Sequence, residues 1–181
     1  SNNTAVGYNS LNANTTGTAG TAVGKGALAA NTTGNHNVSI GEDALAANVT
    51  AHRATAVGYQ ALKASNVSGN SNSGNTAVGF QAGTAMTTGL ANTLVGALAG
   101  DALTDADYNT AVGYGALSTD TLGLRSTAVG YNTLSAQNFT SATTSYNTAV
   151  GFGAGSNVTT GVNNTLIGGL AGDAITTASD N

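Results

Sequence analysis

The sequence predicts an all-β fold, a parallel β-solenoid of ten turns, from a repeated motif and its spacing. The tetrapeptide Thr-Ala-Val-Gly or a close variant recurs ten times in 181 residues. Its glycines are Gly7, Gly24, Gly41, Gly58, Gly79, Gly96, Gly113, Gly130, Gly151 and Gly168. Successive glycines are 17 residues apart, except for two intervals of 21. A unit this short cannot hold two helices, but it suits one solenoid turn that buries its apolar face by stacking on its neighbours.

A longer period divides the chain further. Four units add up to 72 residues, so the single repeat region 1–181 consists of superrepeats 1–72, 73–144 and 145–181. Because a stack of repeats has no natural length and both ends fall inside the pattern, we expect an excerpt of a longer fibre.

Composition excludes several classes of function. The chain has four Lys and Arg, eight Asp and Glu and a net charge of -4, so it lacks the basic surface that nucleic acid requires. Its lack of Cys removes disulfides and thiolate chemistry and fits an extracellular fibre. No apolar run is long enough for a membrane helix, so we expect no membrane contact within this segment.

Aligning the turns on their glycines gives columns of equivalent residues. Val or Ile precedes every glycine, and Thr occupies nine of the ten positions two residues earlier. Residues two apart share a strand face, and β-branched residues are typical of strands, so we expect both columns to face the core. The column between them is mostly Ala, as at Ala111. We expect it to face outward and to allow another chain to pack closely, which predicts oligomerisation.

Two further columns bear on packing. The residue four positions after the glycine is Leu in six turns and Gly in four, and in the Gly turns an apolar residue follows three positions later, which predicts a second turn shape. Aromatic residues that directly follow the glycine are expected to pack in the core or between chains. They are Tyr8, Tyr59, Phe80, Tyr114, Tyr131 and Phe152. The insertions Asn66–Gly74 and Asn138–Tyr146 are expected to protrude as loops.

The motif Asn-Thr-Ala-Val-Gly followed by Ala-Leu, as in Asn109–Gly113 and Ala116–Leu117, resembles the head repeats of YadA-type trimeric autotransporter adhesins. It is also similar to the repetitive shafts of phage tail fibres, and the resemblance covers essentially the whole chain. It implies a left-handed parallel β-roll, a homotrimer around a common axis and attachment to host surfaces or matrix. The longer turns and the 72-residue superperiod depart from that family.

The most varied column lies five residues before the glycines and holds the candidate ligand-binding residues Arg53, Tyr108, Arg125 and Tyr146. Tyr and Arg on corner loops suit contact with a host-surface glycan or protein, although ordinary corner variation accounts for them nearly as well.

The search for metal, cofactor and catalytic sites gives little. Asp101, Asp105 and Asp107 share one loop and are a weak candidate for a cation site, but they lack the ligand spacing of an EF-hand. His36 and His52 fall in different columns, so a metal site built on them is not expected. No converging pair of carboxylates is found, so we expect neither a cofactor nor enzymatic activity.

These observations predict a structural and adhesive fibre segment that is extracellular, at a cell surface or on a virion. One alternative is a purely structural filament without a receptor site. Another is an ice-binding β-solenoid, which needs an outward Thr ladder and is disfavoured because Thr and Val share one face. The sequence leaves open the receptor and the choice between bacterial adhesin and phage fibre.

Overall fold

A computed structural model describes residues 2–69 and 71–181 as one stack of short parallel strands. Ser1, the first residue of superrepeat 1–72, and Asn70, within the first insertion, lie outside the described residues. The fold is all-β, a parallel β-solenoid of about ten turns, as predicted. No helix occurs among the described residues, and hence none that is able to cross a membrane.

The strands are two or three residues long. They are β1 (Thr4–Val6), β2 (Thr21–Val23), β3 (Val38–Ile40), β4 (Thr55–Val57), β5 (Thr76–Val78), β6 (Thr93–Val95), β7 (Thr110–Val112), β8 (Gly123–Leu124), β9 (Thr127–Val129), β10 (Thr143–Thr144), β11 (Thr148–Val150) and β12 (Thr165–Ile167). All except β8 and β10 form one sheet in chain order, and β8 pairs separately with β10. Each motif therefore pairs with the next motif along the chain.

The register of the main sheet places equivalent residues side by side. Thr4 pairs with Thr21, and the same Thr-to-Thr register holds between Thr55 and Thr76, where the first insertion intervenes. The insertions therefore leave the sheet undisturbed. Each column is a ladder with a spacing of about 4.8 Å between neighbouring strands.

The prediction of which columns face the core was wrong. Ala77 and Ala111, at the centres of their strands, are fully buried, whereas Val112 and Thr110 on either side are only half-buried. A narrow turn has room for small side chains at the strand centre. The β-branched residues instead line the outer side of the sheet, where they contact the same residue type on the neighbouring strands.

Leu and Gly exchange within one turn shape, so the prediction of a second shape was wrong. Leu62 and Gly83 both have left-handed backbone, with φ of 50° and 59°. A Cβ on Gly83 would lie 2.7 Å from Leu94 Cδ1 and 3.0 Å from Leu62 Cδ2. The missing side chain makes room for Leu94, and at Gly100 a Cβ would similarly lie 2.7 Å from Cδ1 of the buried Leu103. The core volume is thus supplied from a different position on the same backbone.

An Asn ladder, present in seven of the ten turns, connects neighbouring turns at the entry to the strand. Asn92 Nδ2 donates to the carbonyl oxygen of Ala106 at 2.7 Å, and its Oδ1 accepts from the backbone N–H of Asn109 at 2.8 Å. Equivalent bonds are made by Asn3, Asn37, Asn75, Asn109, Asn147 and Asn164. These bonds satisfy backbone groups at a corner that has no strand partner.

The insertions protrude only at their tips. Ser68 and Gly69 are exposed in the first insertion, as is the segment 140–142 in the second. Val67 and Phe139 are buried beside these tips and fix each insertion to the stack. Strand β10 of the second insertion also pairs with β8 of the turn before it.

The glycine that ends each strand permits a test of the stacking. Gly113 has a φ of 137°, and a Cβ there would collide with the carbonyl oxygen of Gly130. We expect Gly113→Ala to lower the free energy of unfolding by about 3 kcal/mol or more. Thermal unfolding followed by circular dichroism measures this effect.

Gly169 provides the matched control, since a Cβ there meets nothing within 4 Å. We expect Gly169→Ala to change stability by no more than about 0.5 kcal/mol. Equal stability of the two variants would show that the glycine column does not constrain the stack.

Candidate functional site

The outer side of the main sheet presents three parallel ladders, which together we call the outer sheet face. They are the Thr and Val columns of the strands and the residues that follow the glycines. Apolar side chains are exposed along this face, among them Val6, Ile40 and Ile167. These side chains give the single chain a regular apolar surface along the sheet.

The aromatic residues of the outer sheet face stack on one another. The ring centroids of Tyr59 and Phe80 are 5.4 Å apart, and Tyr131 lies between Tyr114 and Phe152 at 5.5 and 5.1 Å. These rings are 41% to 62% exposed. The sequence allowed this aromatic column to pack either in the core or between chains, and its placement in the core is therefore wrong.

Two ion pairs bind the acids beside this face. Lys25 Nζ lies 2.9 Å from Glu42 Oε1, and Lys63 Nζ lies 3.1 Å from Asp43 Oδ2. Both pairs are well exposed and contribute little to stability. Glu42 and Asp43 thus each face a lysine and do not converge on a common point.

Three of the four predicted ligand-binding residues come together at the corner column. The Arg125 guanidinium carbon Cζ lies over the rings of Tyr108 and Tyr146, at 5.4 and 5.9 Å from their centroids. Arg53 occupies the equivalent corner three turns before Tyr108 and takes no part in this cluster. We call Tyr108, Arg125 and Tyr146 the aromatic–arginine stack.

The acidic loop does not gather its carboxylates. Asp105 Oδ1 accepts from Thr88 Oγ1 at 2.7 Å, and Asp107 Oδ1 accepts from the backbone N–H of Leu90 at 2.7 Å. Burial raises the pKa of Asp101, whose Oδ1 has no partner. Among the described residues, no group of three or more acids, His or Cys is placed to hold a metal ion.

The two histidines have different surroundings and share no hydrogen-bond partner in the described part of the chain. His52 Nδ1 accepts from the backbone N–H of Asn35 at 2.8 Å, which connects successive turns, whereas His36 is exposed at a corner.

A buried polar network around Asp120 was not predicted. Asp120 Oδ2 accepts from Gln137 Nε2 at 2.7 Å, and its Oδ1 accepts from the backbone N–H groups of Phe139 and Gly123 at 3.0 and 3.1 Å. Gln137 also donates to Ser126 Oγ at 2.8 Å. Asp120 is fully buried, and this burial raises its pKa although the hydrogen bonds oppose the shift.

A column pattern in the sequence was available as a signal for this network. Asp120 lies seven residues after its glycine, and polar residues occupy that position in every turn with Leu at the fourth position. The column is Asn14, Asn31, Asn48, Ser65, Asp120 and Gln137. Leu therefore fills the apolar core, and the polar side chain three residues later forms hydrogen bonds within the stack except at Ser65, whose hydroxyl has no partner among the described residues.

The described residues enclose no pocket for a small molecule. Comparison with known protein families, curated proteins and solved structures gives no significant match.

Asp120 predicts a pH effect on stability. Its pKa is raised above 3.8 in the folded chain, so between the unfolded and folded pKa values the folded state binds more protons. The free energy of unfolding therefore falls as pH rises through this window. We expect Asp120→Asn to remove this component, so that its melting temperature changes less than the parent's from acid to neutral pH.

The matched control is Asp173→Asn, because Asp173 is exposed. Melting temperatures of all three proteins across this range give the comparison. A pH slope in the Asp120 variant as steep as the parent's would contradict the assignment.

Proposed function

We propose that this chain is a structural and adhesive segment of an extracellular, cell-surface or virion-surface fibre, in which parallel copies associate through the outer sheet face. The observation that carries the proposal is the ladder of half-buried Val side chains, together with exposed Ile40 and the exposed aromatic side chains, on one side of the stack. A surface of this kind on a repeat protein is typical of an association surface.

The partner that fits this face best is another copy of the chain. Its ladders repeat with the strand spacing of about 4.8 Å, and a second parallel copy has the same period. An unrelated globular partner would match such a row at only a few points. The face also carries few charges, since Lys25 and Glu42 neutralise each other where they interrupt the aromatic ladder.

A homotrimer of left-handed solenoids is the arrangement we propose, on the strength of the resemblance to trimeric adhesin heads and tail-fibre shafts. Three copies around one axis enclose one face of each chain and leave the corners exposed. Those corners carry the residues proposed for attachment. The segment acts mechanically and needs neither a cofactor nor catalysis in this proposal.

Two adjacent residues on opposite sides of the sheet test the association surface. We expect Val112→Asp to leave the strands formed but to dissociate the oligomer, since it places a carboxylate in the contact. We expect Ala111→Asp to lower the melting temperature strongly, because it buries an unpaired charge inside the turn. These outcomes reverse those that the sequence alone indicated for the two columns.

Light scattering and circular dichroism on both variants measure association and folding separately. The parent is expected at about three times the chain mass of 17.4 kDa. A parent that is monomeric at micromolar concentration would refute self-association, and a dimer would refute the trimer alone. An oligomer unaffected by Val112→Asp would move the contact to another face.

Ice binding is a second candidate, because the Thr ladder lies on the outer sheet face. The sequence argument against it was that Thr shares the face of Val, which was expected to point into the core, and that expectation was wrong. A flat array of Thr and Val side chains at regular spacing is the surface that this function needs. Inhibition of ice recrystallisation by the parent, lost when Thr110 and Thr127 are changed to Lys, would favour it. Absence of any inhibition leaves the fibre, with or without a receptor site.

A further inference from the structure

The aromatic–arginine stack is an ordered group of recognition side chains on otherwise repetitive surface. Tyr108 and Tyr146 are 53% and 57% exposed, and Arg125 is exposed between them. Cation–π attraction to both rings restrains the guanidinium from two sides. Arg125 Nη1 also donates to Thr144 Oγ1 at 3.1 Å, which fixes the side chain further.

The charge of Arg125 is not neutralised within the described part of the chain. Only Lys25 and Lys63 form ion pairs there. Asp107, in the preceding turn, directs its Oδ1 to the backbone N–H of Leu90. A guanidinium has five N–H donors, and Thr144 accepts from one of its nitrogens, so donors remain for an anionic ligand.

The superperiod supplies an internal comparison. Seventy-two residues before Tyr108, Arg125 and Tyr146 stand His36, Arg53 and Gly74. Arg53 and Arg125 have nearly the same backbone, with φ of 58° and 61°. The fold therefore does not require Tyr beside Arg at this corner, and the equivalent positions next to Arg53, His36 and Gly74, carry no tyrosine ring.

We propose that Tyr108, Arg125 and Tyr146 form a binding ridge for a carboxylate-bearing polysaccharide, which deepens the attachment role proposed above. The edge of the guanidinium donates paired hydrogen bonds to a carboxylate. The exposed Tyr rings stack against the C–H faces of sugar rings. The two Tyr side chains are two turns apart, about 9.6 Å, a distance comparable with the length of a disaccharide. An extended polymer suits this ridge, which is open surface among the described residues.

The net charge of -4 means that the chain as a whole does not attract an anionic polysaccharide. A polyanion gains nothing from the protein surface as a whole, so its binding depends on the local cation and rings. Loss of a single guanidinium is therefore expected to have a large effect.

Oligogalacturonate, with one carboxylate on each sugar, is the probe, and its methyl ester is the neutral control with the same rings. Calorimetric titration of the full chain at low salt is expected to detect binding of the acid and not of the ester. Arg125→Ala is expected to weaken binding about tenfold or more, since a hydrogen bond to a charged group is lost. Ala is compatible with this corner, because Ala19 and Ala91 occupy it with φ of 53° and 54°.

Three further variants separate the contributions. Arg125→Lys keeps the charge but loses the planar fork, and it is expected to weaken binding severalfold. The double variant Tyr108→Ala with Tyr146→Ala is expected to weaken it similarly. Arg53→Ala, at the equivalent corner without rings, is expected to change it by less than twofold.

The proposal is overturned if the parent does not bind oligogalacturonate, if the methyl ester binds equally well, or if Arg53→Ala weakens binding as much as Arg125→Ala. Competition by inorganic phosphate at the concentration of the sugar carboxylates would indicate a general anion site and would overturn the polysaccharide assignment. Light scattering of the Arg125→Ala variant keeps the two proposals apart. If Arg125→Ala loses binding and keeps the parent's oligomeric state, the effect belongs to the ridge and supports the ligand proposal. A monomeric parent instead refutes the fibre proposal.

Discussion

The close approach of successive turns at the strand-ending glycines is the constraint on which the rest of the structure depends. A Cβ on Gly7 would lie 2.6 Å from the carbonyl oxygen of Gly24, and the same obstruction recurs along the stack. Glycine also supplies the φ near 130° that no other residue adopts comfortably, 129° at Gly7 and 133° at Gly24. Because the backbone leaves the sheet at the same point in each turn, equivalent residues fall into direct ladders. Every later feature, from the thin core to the aromatic column, follows from those ladders.

Direct stacking in turn decides how the interior is filled. Six turns place Leu at the fourth position after the glycine, and the other four leave Gly there and place an apolar residue at the seventh. Leu94 adds a second large buried side chain in one of the Gly turns. Buried polar groups form hydrogen bonds within the stack, with exceptions such as the Ser65 hydroxyl. Asn92 bridges two turns through both ends of its amide, and Asp120 is buried with three donors around it. The stack is therefore stabilised by hydrogen bonds between turns as well as by apolar burial.

The fold class and the glycine ladder were predictable because they depend on period, which the sequence states directly. The facing of the columns was not, since alternation tells which residues share a face but not which face is inside. A signal was present in the column of small residues. Leu94 replaces Ala in this column, and the same turn has Gly100 in place of Leu at the fourth position after its glycine. A Cβ on Gly100 would lie 2.8 Å from Leu94 Cδ2. A volume exchange of this kind occurs between core positions. Alignment on the glycines placed Tyr108, Arg125 and Tyr146 in one corner column, but the stacking of the guanidinium on both rings needed the structure, because a column does not fix side-chain direction.

The repeat divides the surface into two regions, the outer sheet face, which is regular, and the corner column, which is variable. The outer sheet face repeats in every turn, so a contact made at one turn is made at all of them, and weak contacts add up along a partner with the same period. A corner column varies from turn to turn without disturbing the sheet, since its side chains leave the stack and its left-handed backbone is the same for Ala91, Tyr108 and Asn163. The self-association and the ligand binding that we propose would thus make separate demands on the sequence. The first would restrict the outer strand columns to Thr, Val and Ile, and the second would be free to concentrate Tyr and Arg at one place along the stack.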